Sequence, residues 1–227
     1  MRSLFIALLL SLFLISCKEN TTTETSDSED IEIKTMTTAE RIAANYGLKN
    51  WSSVSELKFT FNVSRGESGY DRSFIWNTKT DDVVFMNDKD TISYNRKMEL
   101  DSIQTYADKR FINDSFWLLS PFKLVWDEGT TISEEANVIA PISKDTLNKL
   151  TIVYGSEGGY TPGDAYDFYF SKDFTIREWA YRGDNSETAS TITSWDELKE
   201  VGGLKFNTVH QDSLKSFKLF FSNISVK

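Results

Sequence analysis

The chain has 227 residues, with 25 Lys and Arg against 34 Asp and Glu, a formal net charge of -9 and a sequence pI of about 4.8. That balance excludes the basic footprint that nucleic acid requires, and it offers no attraction to anionic lipid headgroups. With 1 Cys and 1 His, an internal disulfide is excluded and any metal would have to be held by oxygen ligands.

Met1-Arg2-Ser3 is followed by apolar residues from Leu4 to Leu10 and, after Ser11, from Leu12 to Ile15. The run suits a signal-peptide core and is too short to span a bilayer, which takes about 20 apolar residues. Leu14-Ile15-Ser16-Cys17 then resembles the lipobox of bacterial lipoproteins. The resemblance implies a signal peptide over 1–16, cleavage after Ser16 and acylation of Cys17. The expected location is the outer membrane, on its periplasmic face or at the cell surface. Each buried methylene contributes about 0.8 kcal/mol, so two or three acyl chains anchor where one does not. Lipidation would also remove a free thiol from a secreted protein. Residues 17–34 are expected to be the lipidated cysteine and a disordered acidic tether, because the segment after Cys17 is polar and free of aromatics. Its cluster Asp27-Ser28-Glu29-Asp30 reads as a solvated spacer rather than a sorting signal. The remainder, 35–227, is long enough for one domain.

Thr37 to Tyr46 predicts a helix capped by Thr37 or Thr38, with Ile42 and Tyr46 on one face and Gly47 as a left-handed stop. The period then changes to two. Leu57, Phe59, Phe61 and Val63 alternate with polar residues, as in a strand with one wet face. A turn at 65–69 leads to a returning strand over Arg72 to Trp76. Val83 to Met86 and Thr91 to Tyr94 predict a hairpin around Asn87-Asp88-Lys89-Asp90. Asp101 to Leu119 predicts a second helix, capped by Asp101 and ended by Pro121. Strands follow over Leu150 to Tyr154, Ala165 to Phe170, Phe174 to Tyr181, Thr188 to Ile192, Leu204 to His210 and Phe217 to Ile224. Short turns between neighbouring runs imply antiparallel pairing. The expected architecture is α+β: a strongly curved antiparallel sheet, a half-open barrel, with helices on its concave face.

Large aromatics occupy both faces of Ala165 to Phe170 and of Phe174 to Tyr181. Either helices and folded-over side chains cover both faces, or one face lines an apolar cavity.

The strand Leu150 to Tyr154, the loop Glu157-Gly158-Gly159-Tyr160-Thr161-Pro162-Gly163-Asp164 and the aromatic strands after it resemble uncharacterised lipoproteins of the Bacteroidota. Those are similar in fold to the Lol-type lipoprotein carriers and outer-membrane receptors. Trp195-Asp196-Glu197-Leu198-Lys199-Glu200-Val201-Gly202-Gly203-Leu204-Lys205-Phe206 resembles the turn into that fold's late strands. Phe116-Trp117-Leu118-Leu119-Ser120-Pro121-Phe122 resembles its aromatic-rich helix. The resemblance implies acyl chains held between sheet and helical lid.

Nothing in the sequence carries the signature of an enzyme. His210 stands alone in an alternating strand, a setting more typical of a surface or satisfied core residue than of a catalyst. Gly158-Gly159 and Gly202-Gly203 lie in turns, no Gly-x-Ser-x-Gly elbow occurs, and no EF-hand spacing is present. No cofactor or metal is expected. Two readings remain: a membrane-anchored lipoprotein that binds a lipid, acyl chain or other apolar ligand, or a non-catalytic interaction or assembly subunit of the cell envelope with a self-filled core. A cavity lined by Phe59, Phe61, Trp76, Trp117, Phe168 and Phe170 would favour the first; a filled core with an exposed apolar patch would favour the second.

Overall fold

The computed structural model describes residues 36–155, 157 and 162–227. The expected signal peptide, Cys17, the expected tether and the Gly158-Gly159 pair fall outside the described residues.

Helix α1 spans Thr38–Asn45. Thr37 caps it in a reciprocal box: its hydroxyl accepts from the Glu40 amide at 3.2 Å, and its own amide donates to Glu40 Oε2 at 2.7 Å. Gly47 follows at φ 93° and opens a 310 turn over Leu48–Ser53. A Cβ at Gly47 would lie 2.3 Å from the Gly203 carbonyl oxygen, so this position needs glycine for its conformation and for the approach. Gly203 itself, at φ 77°, accepts from Asn50 Nδ2 at 2.7 Å. The Gly202-Gly203 turn is thus a docking point for the first helical segment.

Strands β1 (Glu56–Arg65), β2 (Ser68–Asn77), β3 (Asp82–Met86) and β4 (Thr91–Asn95) form a meander. The alternation of β1 holds, with Leu57, Phe59, Phe61 and Val63 all buried. Helix α2 follows over Ser102–Trp126, capped by Asp101, whose carboxylate accepts from the Ile103 and Gln104 amides at 2.9 and 2.8 Å. Pro121 does not end this helix, as the sequence suggested; α2 runs through it to Trp126. Proline there has no N–H for the carbonyl of Trp117 and crowds it, which is normally costly. Here the flanking turns are held by burial: Leu118, Leu119, Phe122 and Leu124 are all in the core. Ser120 Oγ also donates back to the carbonyl of Phe116.

Strands β5 (Thr130–Ile139), β6 (Thr146–Tyr154), β7 (Ala165–Phe170), β8 (Ile176–Arg182) and β9 (Thr191–Ser194) form a second antiparallel sheet in sequential order. Strands β10 (Asp196–Val201), β11 (Leu204–Gln211) and β12 (Phe217–Val226) then return to the first, whose order is β10-β11-β12-β1-β2-β3-β4. The described residues therefore carry 12 strands in an α+β arrangement. β4 and β5 stand at outer edges and do not pair with each other, so the strands do not close into a barrel.

The two sheets meet at Trp195, between β9 and β10. Its amide donates to the Arg177 carbonyl at 2.7 Å, continuing the β8 ladder, while its carbonyl accepts from Asn207 Nδ2 on β11 at 2.8 Å. Tyr46 at the end of α1 ties the same junction: its hydroxyl donates to Asn207 Oδ1 and accepts from the Ile176 amide at 3.1 Å. Burial pushes the Tyr46 pKa well above that of an ordinary tyrosine, so it stays a neutral donor. One hydrophobic cluster takes in residues of both helices and both sheets.

Candidate functional site

Helix α2 presents Lys109, Ile112, Asn113, Phe116 and Trp117 at spacings of three and four, a single stripe on its surface. This stripe borders an open cleft. On one side it faces Tyr166, Trp179, Tyr181 and Thr191 of the second sheet, around a volume of about 430 Å³. On the other, Asn113 and Trp117 join Phe61, Val63, Arg65, Tyr70, Phe217 and Leu219 of the first sheet, around about 510 Å³. Asn113, Trp117 and Thr191 border both volumes, so the two adjoin.

Strand register explains the lining. Tyr166 pairs with Tyr181, and Phe168 with Trp179, so β7 and β8 place their aromatics side by side. The rings form a wall: Tyr166 stacks on Trp179 at 5.5 Å, and Trp179 on Tyr181 at 6.3 Å. Phe116 meets Tyr166 at 4.7 Å and Trp117 meets Trp179 at 4.4 Å. In the first sheet, Val63 pairs with both Tyr70 and Leu219, bringing β2 and β12 residues onto the face of Phe61. Trp117 is half-buried where the two halves meet.

Of the residues singled out by the sequence, Phe61 and Trp117 line the cleft. Phe59, Phe168 and Phe170 do not: they are buried core rings, with Phe59 against Phe74 at 5.2 Å, Phe168 against Trp195 at 6.0 Å and Phe170 against Phe174 at 6.0 Å. Trp76 also lies away from it, packed on Trp51 and Phe111 while its Nε1 donates to Asp81 Oδ1 at 3.1 Å. Inward-facing position alone does not separate a cavity wall from a filled core. The residues missed were Ile112, Phe116, Tyr166, Trp179 and Tyr181. The stripe at 109, 112, 113, 116 and 117, read beside the doubled aromatics of β7 and β8, was the available signal.

Two buried polar features adjoin the cleft. Asp114, fully buried, receives Arg72 in a paired contact: Nη2 donates to Oδ1 at 2.8 Å, and Nε lies 2.8 Å from Oδ2. The guanidinium also lies over Phe61 and Tyr70, at 5.0 and 4.9 Å. Burial pushes the Asp114 pKa up to about 6 against the opposing pull of Arg72. The second feature is His210, fully buried between Trp195 at 4.6 Å and Trp117 at 5.4 Å. Burial lowers its pKa to about 3, although backbone groups of Asn207 and Ser194 pull the other way. Those groups are close without completing a hydrogen bond of ordinary geometry to either ring nitrogen. The imidazole is accordingly neutral at physiological pH.

The cleft thus combines an aromatic wall with cations at the rim, Lys109 and Arg65, and one rim carboxylate, Asp212. Among the described residues, no group of three or more His, Cys, Asp or Glu side chains converges as metal ligands would.

No known protein family matches the sequence, and no curated protein matches it. Among solved structures, the chain is similar to a DUF1329 family protein from Desulfovibrio piger ATCC 29098, at 11% identity and a TM-score of 0.43, over 82% of this chain and 93% of that one.

Proposed function

We propose that this chain is an outer-membrane lipoprotein, held by acyl groups on Cys17, whose domain binds the apolar part of a lipid or acyl-bearing ligand in the cleft beside α2. The two sheets, joined at Trp195, would act as one curved Lol-type half-barrel with α2 against its concave face. The observation that carries the binding reading is the row of Phe116, Trp117, Tyr166, Trp179 and Tyr181 around an open volume of about 430 Å³, the lower end of the range for small-molecule sites. Phe116, Tyr166 and Trp179 belong to the buried core, and the half-buried Trp117 and Tyr181 complete the wall at its open edge. The role is non-catalytic: the cleft offers contact area and a charged rim.

The direct test uses the full chain carrying Cys17→Ser, mixed with pyrene-labelled acyl probes. Binding is expected in the micromolar range, and Trp117→Ala is expected to weaken it at least tenfold. Absence of binding by any acyl probe would remove this reading. The alternative of an interaction or assembly subunit would then stand, favoured by the filled packing of Phe59, Phe168 and Phe170 in one continuous core.

Anchorage is tested separately. Labelled fatty acid should enter the unmodified chain in cells and be lost on Cys17→Ser. Undiminished labelling of that variant would refute the lipobox reading.

A further inference from the structure

The sheet junction holds several buried polar atoms without a hydrogen bond of ordinary geometry, although backbone groups of Asn207 and Ser194 lie near the His210 ring. Trp179 Nε1, Thr193 Oγ1, Trp195 Nε1 and both ring nitrogens of His210 are buried, and none has a hydrogen-bond partner of ordinary geometry among the described residues. The four side chains are 3%, 0%, 2% and 0% exposed, in that order. They are neighbours. Thr193 pairs with Trp179 across β8 and β9, Trp195 lies two residues beyond Thr193, and His210 contacts Trp195 at 4.6 Å. Trp117 spans the group, touching Trp179 at 4.4 Å and His210 at 5.4 Å. Trp179 also lines the cleft.

Each buried donor or acceptor left without a partner costs about 1–3 kcal/mol, and native proteins keep few of them. A concentration directly behind Trp179, which lines the open cleft, points to a group that arrives with the ligand. The chemistry of the patch narrows that group. Two indole N–H groups can only donate, while a hydroxyl and a neutral imidazole can do either. No cationic side chain belongs to the patch; Lys109 and Arg65 stand on the cleft's lining, outside it. An ionised headgroup taken to the patch would therefore be buried without a counter-charge, at high cost. A neutral acceptor would not.

We infer that Trp179, with Thr193, Trp195 and His210 behind it, forms a neutral hydrogen-bonding subsite for the carbonyl of an acyl ester or amide. The inference rests on the reading of the cleft as an acyl site and specifies which end of the ligand enters. The carbonyl reaches the indole N–H of Trp179 beneath Trp117, and the hydrocarbon lies along Phe116, Tyr166 and Tyr181. Free carboxylates are discriminated against at the patch and would be held only at the rim.

The test compares matched pyrene-labelled chains of equal length ending in a methyl group, a methyl ester or a carboxylate, on the full chain carrying Cys17→Ser. The ester is expected to bind about five- to tenfold more tightly than the hydrocarbon, the ratio that one net hydrogen bond supplies. Trp179→Phe, which keeps an aromatic ring and removes the N–H donor, should erase that ratio; the ester is read against the hydrocarbon in the same variant, so that any change in the wall's own contribution cancels. In the unsubstituted indole set, the Trp179 N–H resonance should shift with the ester and not with the hydrocarbon, a readout that needs no variant to fold. Equal binding of ester and hydrocarbon with an unmoved indole resonance overturns the subsite while leaving the cleft reading intact. Tightest binding by the carboxylate also overturns it and points to Lys109 and Arg65. If none of the three binds, the cleft reading fails first and the subsite fails with it.

Discussion

His210→Phe should make the chain markedly more resistant to acid, with most of the effect between about pH 6.5 and pH 3. His210 is fully buried, and burial lowers its pKa from 6.5 to about 3. The unfolded chain takes up a proton on this residue below about pH 6.5, while the folded chain does so only near pH 3. Stability from keeping the ring neutral is thus complete above the unfolded value and is lost as pH falls through the folded one. The full amount is about 5 kcal/mol, of which about 3 kcal/mol is gone by pH 4. Phenylalanine has no proton to take up and suits a cage of Trp117, Trp195 and Phe221. Overpacking can shift the mutant's stability by a constant 1–3 kcal/mol or so, but that offset does not vary with pH. Urea denaturation of both proteins at about pH 8 and pH 4 isolates the linkage, since carboxylate titrations are common to both. A stability difference equal at the two pH values would show that His210 does not remain neutral in the fold.

The position of this histidine shows where the sequence stops being informative. The alternation of β11 is visible in Leu204, Phe206 and His210, yet nothing local says that β11 meets β9 and β10 at a buried junction. That meeting depends on Trp195, where one run of chain changes partner from β8 to β11. The first half was more readable because its signals are short-range: the Thr37–Glu40 capping box, Gly47, the period-two pattern of β1 and the Asp101 cap. β5 and β10 leave no periodic signal in the sequence, for one reason. Thr130–Ile139 is an edge strand exposed along nearly its whole length, and Asp196–Val201 is equally wet, so neither shows an apolar face. Charges that protect an exposed strand from unwanted pairing also remove its periodic signal. The run of α2 past Pro121 departs from the sequence expectation for the opposite reason: local propensity is plain, and tertiary burial of Phe122 and Leu124 outweighs it. The cleft follows the same rule. Phe61 and Phe59 are indistinguishable in pattern, yet Phe61 borders open space while Phe59 is covered by Phe74 and Phe221.

Arg72→Leu should be among the most damaging single substitutions at neutral pH, and its severity should depend on pH in the direction opposite to His210. Arg72 on β2 and Asp114 on α2 form the buried pair that fixes the helix against the first sheet, one residue from cleft-lining Asn113. Even with the arginine present, burial raises the Asp114 pKa from 3.8 to about 6. The favourable contribution from a protonated Asp114 is complete below about pH 4 and is lost as pH rises through 6, so the carboxylate is held against an opposing burial cost. Removing Arg72 takes away the main charge that offsets that cost. An uncompensated buried carboxylate typically destabilises by about 3–5 kcal/mol, and the pKa should climb further in the variant. At about pH 7 the variant should lose that amount in urea denaturation; at about pH 5 protonation of Asp114 should recover much of it. Asp114→Asn in the same chain should recover it at both pH values, because a neutral amide needs no counter-charge and can still accept from Asn113 Nδ2, which now donates to Asp114 Oδ1 at 3.0 Å. A loss below about 1 kcal/mol at neutral pH, or one that does not change with acid, would mean the pair is solvated and does not clamp α2. If the clamp is real, the double variant should fold normally yet hold α2 less firmly, so acyl-probe binding should weaken in it even where stability is restored.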